Sequence, residues 1–156
     1  MPRRGRVNKR KTSPDSKYRS VTVQKFINRI MMMGKKSTAE NIMYGSMEIV
    51  SKKLNKDALQ VFETAIKNVT PLMEVKARRV GGSTYQIPIE VERDRGTAIA
   101  MKWLKESAQD RQGKSMQEKL SSEIIDAFSG TGGAMKKKED LHKTAEANKA
   151  FAHFRW

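Results

Sequence analysis

Lysine and arginine are the residues whose number and placement favour a chemical role in this sequence, namely the binding of an anionic polymer. The 156 residues include 32 Lys plus Arg against 17 Asp plus Glu, which gives a formal net charge of +15. A compact chain with so much like charge repels itself unless a polyanion neutralises it. Contacts between cationic side chains and nucleic-acid phosphates are favourable because they release counterions. The composition therefore predicts a nucleic acid as the partner.

An anionic membrane surface is the alternative partner for such a charge. The sequence has no lipidation signature, and no apolar run approaches the roughly 18 residues that a membrane span needs. The basic N-terminus is not followed by the apolar core of a signal peptide. We therefore expect no membrane association.

The densest cations lie in the first 19 residues, which contain one acid, Asp15, and two aliphatic residues, Met1 and Val7. Such a segment cannot bury a core and cannot fold alone. We predict a basic N-terminal arm over residues 1–19 that becomes ordered on nucleic acid, with a solvated tail as the alternative. The cations of this arm that we expect to contact nucleic acid are Arg3, Arg4, Arg6, Lys9, Arg10, Lys11 and Lys17.

A second basic feature is the first predicted helix and the residues after it. Lys25 and Arg29 fall on the polar side of that helix, and Lys35 and Lys36 follow its end. Because the other side of the helix is apolar, we expect these four cations to face outward, where RNA could reach them.

A third basic feature is the tip of a predicted hairpin. Arg78 and Arg79 precede Gly81-Gly82, and Tyr85 follows it. A projecting ribbon with basic and aromatic residues can touch a nucleic-acid backbone while offering a ring for stacking. The alternative for Tyr85 is that its ring packs on the helices below.

The residue types that enzymes need are scarce. Cysteine is absent and the only histidines are His142 and His153, so thiolate chemistry and a placed Ser-His-Asp arrangement are both excluded. The Gly-rich stretch at 130–133 lacks the Gly-Lys-Ser/Thr of a phosphate loop and follows a predicted helix, so we interpret it as a helix–helix connection. We predict no enzyme activity, cofactor or small-molecule substrate.

One cluster of acids could suggest a metal site or an acid/base pair. Glu90, Glu92 and Asp94 alternate with Arg93 and Arg95. Because cations are interleaved among the carboxylates, local ion pairs are the better interpretation. We therefore predict no metal.

The apolar residues predict three helices in the first half of the chain. The first runs from Val21 with Gly34 as its stop, and the second opens at Ser37 with Glu40 completing a capping box. Asp57 begins the third, which ends at Pro71. Short connections between them predict antiparallel packing on one core.

The period then changes from helical to alternating, which predicts a two-stranded hairpin at about 73–91. Helices resume near Arg93, at Ser115 and at about Ala134, the last a basic peripheral helix to about residue 150. The prediction is a single mainly α domain over 20–156. It is a bundle of about six helices with one projecting β-hairpin between the third and fourth.

Three segments of the sequence carry a resemblance to a known family. They are the opening Met-Pro-Arg-Arg-Gly-Arg, the hairpin run from Glu74 to Val91 and the closing run from Asn148 to Trp156. All three resemble bacterial small-subunit ribosomal protein seven, and the similarity runs essentially end to end. The hairpin run, EVKARRVGGSTYQIPIEV, is the most specific of the three.

The resemblance implies a six-helix bundle with an extended hairpin and a role in the cytoplasmic ribosome. It implies binding to the 3′ major domain of small-subunit rRNA, nucleation of head assembly, and a position near exit-site tRNA and the mRNA exit path. Ribosomal protein eleven and other head proteins would be neighbours. Beside the arm residues, the expected rRNA contacts are Lys25, Arg29, Lys35, Lys36, Arg78, Arg95, Arg111 and Lys114. The residues expected near tRNA and mRNA are Arg79, Gly81, Gly82, Tyr85, Lys136, Lys137 and Lys143.

Two other classes remain as alternatives on the residues alone. One is a non-ribosomal architectural protein that binds nucleic acid, of the bacterial or chromatin DNA-binding type. A helix-turn-helix reader of that type predicts specificity residues inserted in a groove and a dimer, whereas this chain has a ribbon and dispersed charge. Preference for structured RNA over duplex DNA at matched salt separates the two. An RNA-modifying enzyme would need a nucleotide or methyl-donor pocket, and turnover would reveal it.

Overall fold

The computed structural model describes residues 11–154, in which local sequence signals produce six α-helices, one hairpin and a final 3₁₀ helix. The predicted fold class is confirmed, since the hairpin lies between the third and fourth helices. In chain order the elements are α1 Val21–Ile30, α2 Lys36–Leu54, α3 Ala58–Val69, β1 Met73–Val80, β2 Ser83–Glu90, α4 Arg93–Asp110, α5 Met116–Phe128, α6 Gly133–Ala147 and η1 Lys149–Phe154.

The core forms where the apolar faces of the helices meet around α5, which packs against α2, α3 and α4. Phe26 of α1 and Phe62 of α3 are fully buried and meet edge to face, with ring centroids 5.2 Å apart. Met43 of α2 and Leu120 and Ile124 of α5 are also fully buried. Burying side chains of this size contributes about 1.5–3 kcal/mol each, which is what holds the bundle together.

The connection between α1 and α2 differs from the prediction. Helix α1 ends at Ile30 and not at Gly34, and α2 begins at Lys36 without a side-chain cap, so the predicted capping box at Ser37 is wrong. Glu40 instead forms an ion pair with Lys36 at 3.3 Å. The predicted caps at the other two helix starts are confirmed, because Asp57 and Ser115 each accept a backbone N–H of the following turn.

The hairpin pairs β1 and β2 in an antiparallel register that runs from Met73 opposite Glu90 to Val80 opposite Ser83. Gly81 and Gly82 make the turn at φ of 58° and 90°, in the left-handed region that glycine adopts without a steric penalty. Ile87, near the base, is 1% exposed, whereas Gly81 and Gly82 are exposed. A two-stranded ribbon is marginal in water, and here it packs against α6 and η1. The contact with η1 reaches Tyr85, close to the turn, and only the turn itself projects.

Helix α6 buries little apolar surface, with Ala134 and Ala145 buried and Met135 packed against the core, and polar contacts add to its attachment. Lys138 donates its ammonium to the backbone carbonyl of Asn68 at the end of α3. The backbone N–H of Leu72 donates to Nε2 of His142 at 3.2 Å. Burial, and then the nearby Lys138, lower the pKa of His142, which keeps the ring neutral and able to accept. The predicted helix to about residue 150 is interrupted after Ala147 and continues as η1.

Candidate nucleic-acid interface

Helix α1 and the turn after it present one cationic surface, which we call the α1 surface and define by Lys25, Arg29, Lys35 and Lys36. The apolar face of α1 is buried in the core, so Lys25 is left exposed and Arg29 half-buried on the outer side. Lys35 and Lys36 are both exposed. The ammonium of Lys105 on α4 donates to the carbonyl of Arg29 at 2.9 Å and fixes the end of α1. The four predicted residues therefore lie on two adjacent segments of the chain, three of them exposed and Arg29 half-buried.

The hairpin tip presents the next group of predicted residues. Arg79 is exposed, and its Nε donates to the carbonyl of Gly82 at 3.4 Å, so the guanidinium lies over the turn. Tyr85 is half-buried, and its ring lies 4.9 Å from that of Phe151 in η1, at an interplanar angle of 48°. This contact with Phe151 agrees with the alternative given from the sequence, in which the Tyr85 ring packs against helical segments of the protein. A contact of Tyr85 with tRNA stays a prediction.

Arg111 after α4 takes part in an internal ion-pair cluster. Its guanidinium donates to Glu123, which is 0% exposed, and to Asp126. Burial lowers the pKa of Arg111, but the hydrogen bonds to Asp126 and Glu123 outweigh it, so the pKa is raised overall. The other oxygen of Glu123 accepts the N–H of Ala134 at 2.8 Å, at the start of α6. Arg111 thus ties the end of α4 to α5, and Glu123 in turn joins α5 to α6. The predicted contact of Arg111 with rRNA stays a prediction.

Beside this cluster, a groove of about 450 Å³ collects cations from three segments. Lys53 from α2 and Lys119 from α5 line it together with Arg111 and Gly113, and the exposed Lys114 follows in sequence. Sequence reasoning found Arg111 and Lys114 but missed Lys53 and Lys119. No local signal could have found them, because they meet only through packing of α2 on α5.

A larger groove of about 740 Å³ lies at the base of the hairpin and was also missed from the sequence. Its cations are Lys67, Arg93 and Lys138, with Glu63 as the acid in its lining. Nearby, Arg95 forms an ion pair with Glu74 of β1 at 2.8 Å and not with the acids that flank it in sequence. The predicted local pairing of Arg95 is therefore wrong, because the strand brings a more favourable carboxylate across from it.

The cations predicted to lie near tRNA and mRNA follow α6. Lys136 and Lys143 are exposed, whereas Lys137 forms an ion pair with Glu106 of α4 at 3.3 Å. Because η1 meets Tyr85 of the hairpin, the end of this basic helix and the hairpin belong to the same side of the molecule.

The predicted arm falls partly outside the structure. Arg3, Arg4, Arg6, Lys9 and Arg10 lie outside the described residues, and Lys11 is exposed. Lys17 forms an ion pair with Glu48 of α2 at 2.7 Å, and this contact raises the pKa of Lys17.

Asp15 anchors the end of the arm to the bundle and was missed as a structural residue. It is 2% exposed and accepts the N–H groups of Lys17 and Tyr18, at 3.0 and 2.9 Å, and the hydroxyl of Tyr44 at 2.6 Å. Burial acts to raise the pKa of Asp15, but these hydrogen bonds lower it overall. Residues 15–20 are therefore part of the folded body and not of a free tail.

Among residues 11–154, no group of three or more His, Asp and Glu residues is placed to hold a metal ion. A search of the same residues finds no helix with the length and apolar character of a membrane span. Two of the grooves contain three cations each in their lining, which suits contact with a polyanion.

A helical bundle with exposed cations and a basic hairpin is typical of a structural protein that binds nucleic acid. Residues 2–149 match the family described as ribosomal protein S7p/S5e, so the chain belongs to that family, as its sequence segments indicated. The small ribosomal subunit proteins uS7 of Pelotomaculum thermopropionicum, Dictyoglomus turgidum and Saccharophagus degradans are 60%, 56% and 57% identical to it. Each similarity extends over 156 residues and 100% of both chains.

Proposed function

We propose that this chain is a structural constituent of the small ribosomal subunit that binds the 3′ major domain of the subunit's rRNA and nucleates assembly of the head. The observation that carries the proposal is that, among residues 11–154, some charged side chains of the folded chain have internal partners while certain exposed cations have none. Several acids have internal partners, such as Asp15 with Tyr44, Glu74 with Arg95, and Glu123 with Arg111.

The predicted interface cations divide into two groups. One group forms ion pairs within the protein, namely Lys17, Lys36, Arg95, Arg111 and Lys137. Within residues 11–154, Lys25, Lys35 and Lys114 are exposed and form no ion pair. Family membership adds the expectation of an RNA partner over a DNA partner. These cations are therefore available for RNA phosphates.

Recognition should depend on the shape of the RNA and the position of its phosphates. Side chains cannot read the deep, narrow major groove of A-form RNA. Cations on the α1 surface, the hairpin and the groove beside α5 would instead hold several RNA segments in one arrangement. Fixing a junction of helices in this way is what an assembly-nucleating protein must do.

We further propose that the hairpin tip and α6 face exit-site tRNA and the mRNA exit path, with ribosomal protein eleven as a neighbour. The exposure of Arg79, Gly81 and Gly82 and the contact of Tyr85 with η1 support this orientation. Because the chain has no cysteine, a single Ser83→Cys variant, next to the turn and exposed, can carry a photo-crosslinker without altering either turn glycine. In assembled subunits it should crosslink to tRNA or mRNA, and crosslinks only to rRNA helices would contradict this orientation.

The proposed function is tested by binding to an isolated 3′ major domain across a salt series, beside duplex DNA and unrelated RNA of equal length. We expect a preference of about a hundredfold, or about 2.7 kcal/mol, that persists at high salt. The variant Lys35→Ala should reduce the salt slope by about one phosphate contact. Lys102→Ala removes the same charge from an exposed site outside the proposed interface and serves as the control.

Equal and steeply salt-dependent binding to all three nucleic acids would mean that net charge acts alone. That result would remove the proposal and favour a general architectural nucleic-acid-binding protein.

A further inference from the structure

The turn between α1 and α2 carries two exposed methionines. Met33 is 93% exposed and Met32 is 62% exposed, whereas Met43 and Met47 of the neighbouring α2 are fully buried. A single exposed apolar residue is common on protein surfaces and needs no special account. The backbone at Met33 is what distinguishes this pair.

Met33 adopts a backbone conformation that its residue type disfavours. Its φ is 52° and that of Gly34 is 75°, and the N–H of Lys35 donates to the carbonyl of Met32 at 3.0 Å. A four-residue turn with positive φ at both central positions normally carries Asn, Asp or Gly at the first of them. Methionine there is strained, so the sequence places an unbranched apolar side chain at the tip at the expense of local stability.

The surroundings of the turn are cationic and partly apolar. A groove of about 140 Å³ beside it is lined mostly by apolar side chains, together with Lys35 and Thr38, and its lining contains no acid. Arg29 precedes the turn and Lys36 follows it, with Glu40 already paired to Lys36. The apolar tip therefore lies within a surface suited to anionic partners. The groove-lining residues are Ile30, Met31, Met32, Lys35, Thr38, Ala39 and Ile42.

We propose that Met33, with Met32 beside it, contacts an unstacked base of the RNA whose phosphates the α1 surface holds. This inference rests on the proposed function and names the chemistry of one subsite within it. Structured RNA displays unstacked bases in its loops and bulges. Methionine is flexible and polarisable, and apolar side chains, methionine among them, insert against bases in protein–nucleic acid complexes.

The test separates this contact from electrostatic binding through salt dependence. The variant Met33→Asn keeps the turn, since Asn tolerates positive φ, but removes the apolar side chain. We expect its Kd for the 3′ major domain to rise about fivefold at every salt concentration with an unchanged salt slope. The loss of a phosphate contact in Lys35→Ala should instead change the slope. The control Met33→Leu should bind within about twofold of the wild type.

Thermal melting tests whether weaker RNA binding by Met33→Asn results from lower stability of the protein. Because Asn-Gly is the preferred pair in such a turn, Met33→Asn should melt at the wild-type temperature or above it. Weaker RNA binding by a variant at least as stable as the wild type supports a direct contact.

Two outcomes overturn this inference alone, and a third overturns the proposed function as well. If the wild type prefers the 3′ major domain but Met33→Asn binds it equally well, the methionines contact solvent or a protein neighbour, and the proposed function stands without this subsite. If Met33→Asn changes the salt slope as Lys35→Ala does, the turn acts through charge. A wild type without any preference among nucleic acids would instead remove the proposed function, and this subsite with it.

Discussion

Replacing the buried acid Glu123 should loosen the joint between α5 and α6. Glu123 is 0% exposed, and its two oxygens accept from the guanidinium of Arg111 and from the N–H of Ala134. In Glu123→Ala, the buried N–H of Ala134 loses its partner. Arg111 keeps Asp126 and is 27% exposed, so water can replace part of what its guanidinium loses.

The expected change in the free energy of unfolding follows from the two lost hydrogen-bond contacts, those of Ala134 and Arg111 with Glu123. A buried donor without a partner costs about 1–3 kcal/mol. Removing one member of a buried ion pair costs about 3–5 kcal/mol when the other is left stranded, which Arg111 is not. We therefore expect Glu123→Ala to lower the free energy of unfolding by about 3 kcal/mol. Glu123→Gln should lose about half of this, because its amide oxygen can still accept from Ala134.

Urea denaturation followed by circular dichroism measures these free energies, and thermal melting checks them. For a domain of this size about 1 kcal/mol corresponds to about 2–4 °C, so Glu123→Ala should melt about 6–12 °C lower. Glu139→Ala, at an exposed acid in the middle of α6, is the control and should change stability by less than about 0.5 kcal/mol. A Glu123→Ala variant within about 0.5 kcal/mol of the wild type would refute this account of the joint.

Two further predictions concern the anchors at the ends of the fold. Asp15→Asn should lower the free energy of unfolding by about 1 kcal/mol at neutral pH, because hydrogen bonds to the carboxylate, such as that from Tyr44, weaken. Since the folded pKa of Asp15 is lowered, this difference should be complete above about pH 4 and vanish as the pH falls through the folded pKa, which urea titrations across pH can follow. Phe151→Ala removes the ring contact with Tyr85, so amide exchange in β2 should accelerate while exchange in α3 stays unchanged. Unchanged exchange in β2 would show that η1 does not hold the hairpin.

Much of the fold was predictable from local patterns. The switch from helical to alternating period located the hairpin, and Asp57 and Ser115 marked two helix starts, because capping depends on residues within one turn. Ser37 failed as a cap because the preceding residues close their own turn, through the bond from Lys35 to Met32, and α2 begins earlier. A local pattern could not choose between these two arrangements.

The candidate site was less predictable, because a cation's role depends on what packs beside it. Arg111 and Lys114 look alike in sequence, yet the first is held by Glu123 and Asp126 and the second is exposed. No local sequence pattern marked Lys53 or Lys119 as a candidate, because the two lysines meet only in the folded groove.

The sequence by itself determined the net charge, the helical and alternating segments and the family, since these depend on composition and on neighbours a few residues apart. Tertiary structure alone decided which charged side chains form ion pairs within the protein. Lys17 meets Glu48 across 31 residues, and Arg95 meets Glu74 across 21. Ion pairs form between side chains that packing of the core brings together, and hydrophobic packing is not directional enough to fix those partners from the local sequence.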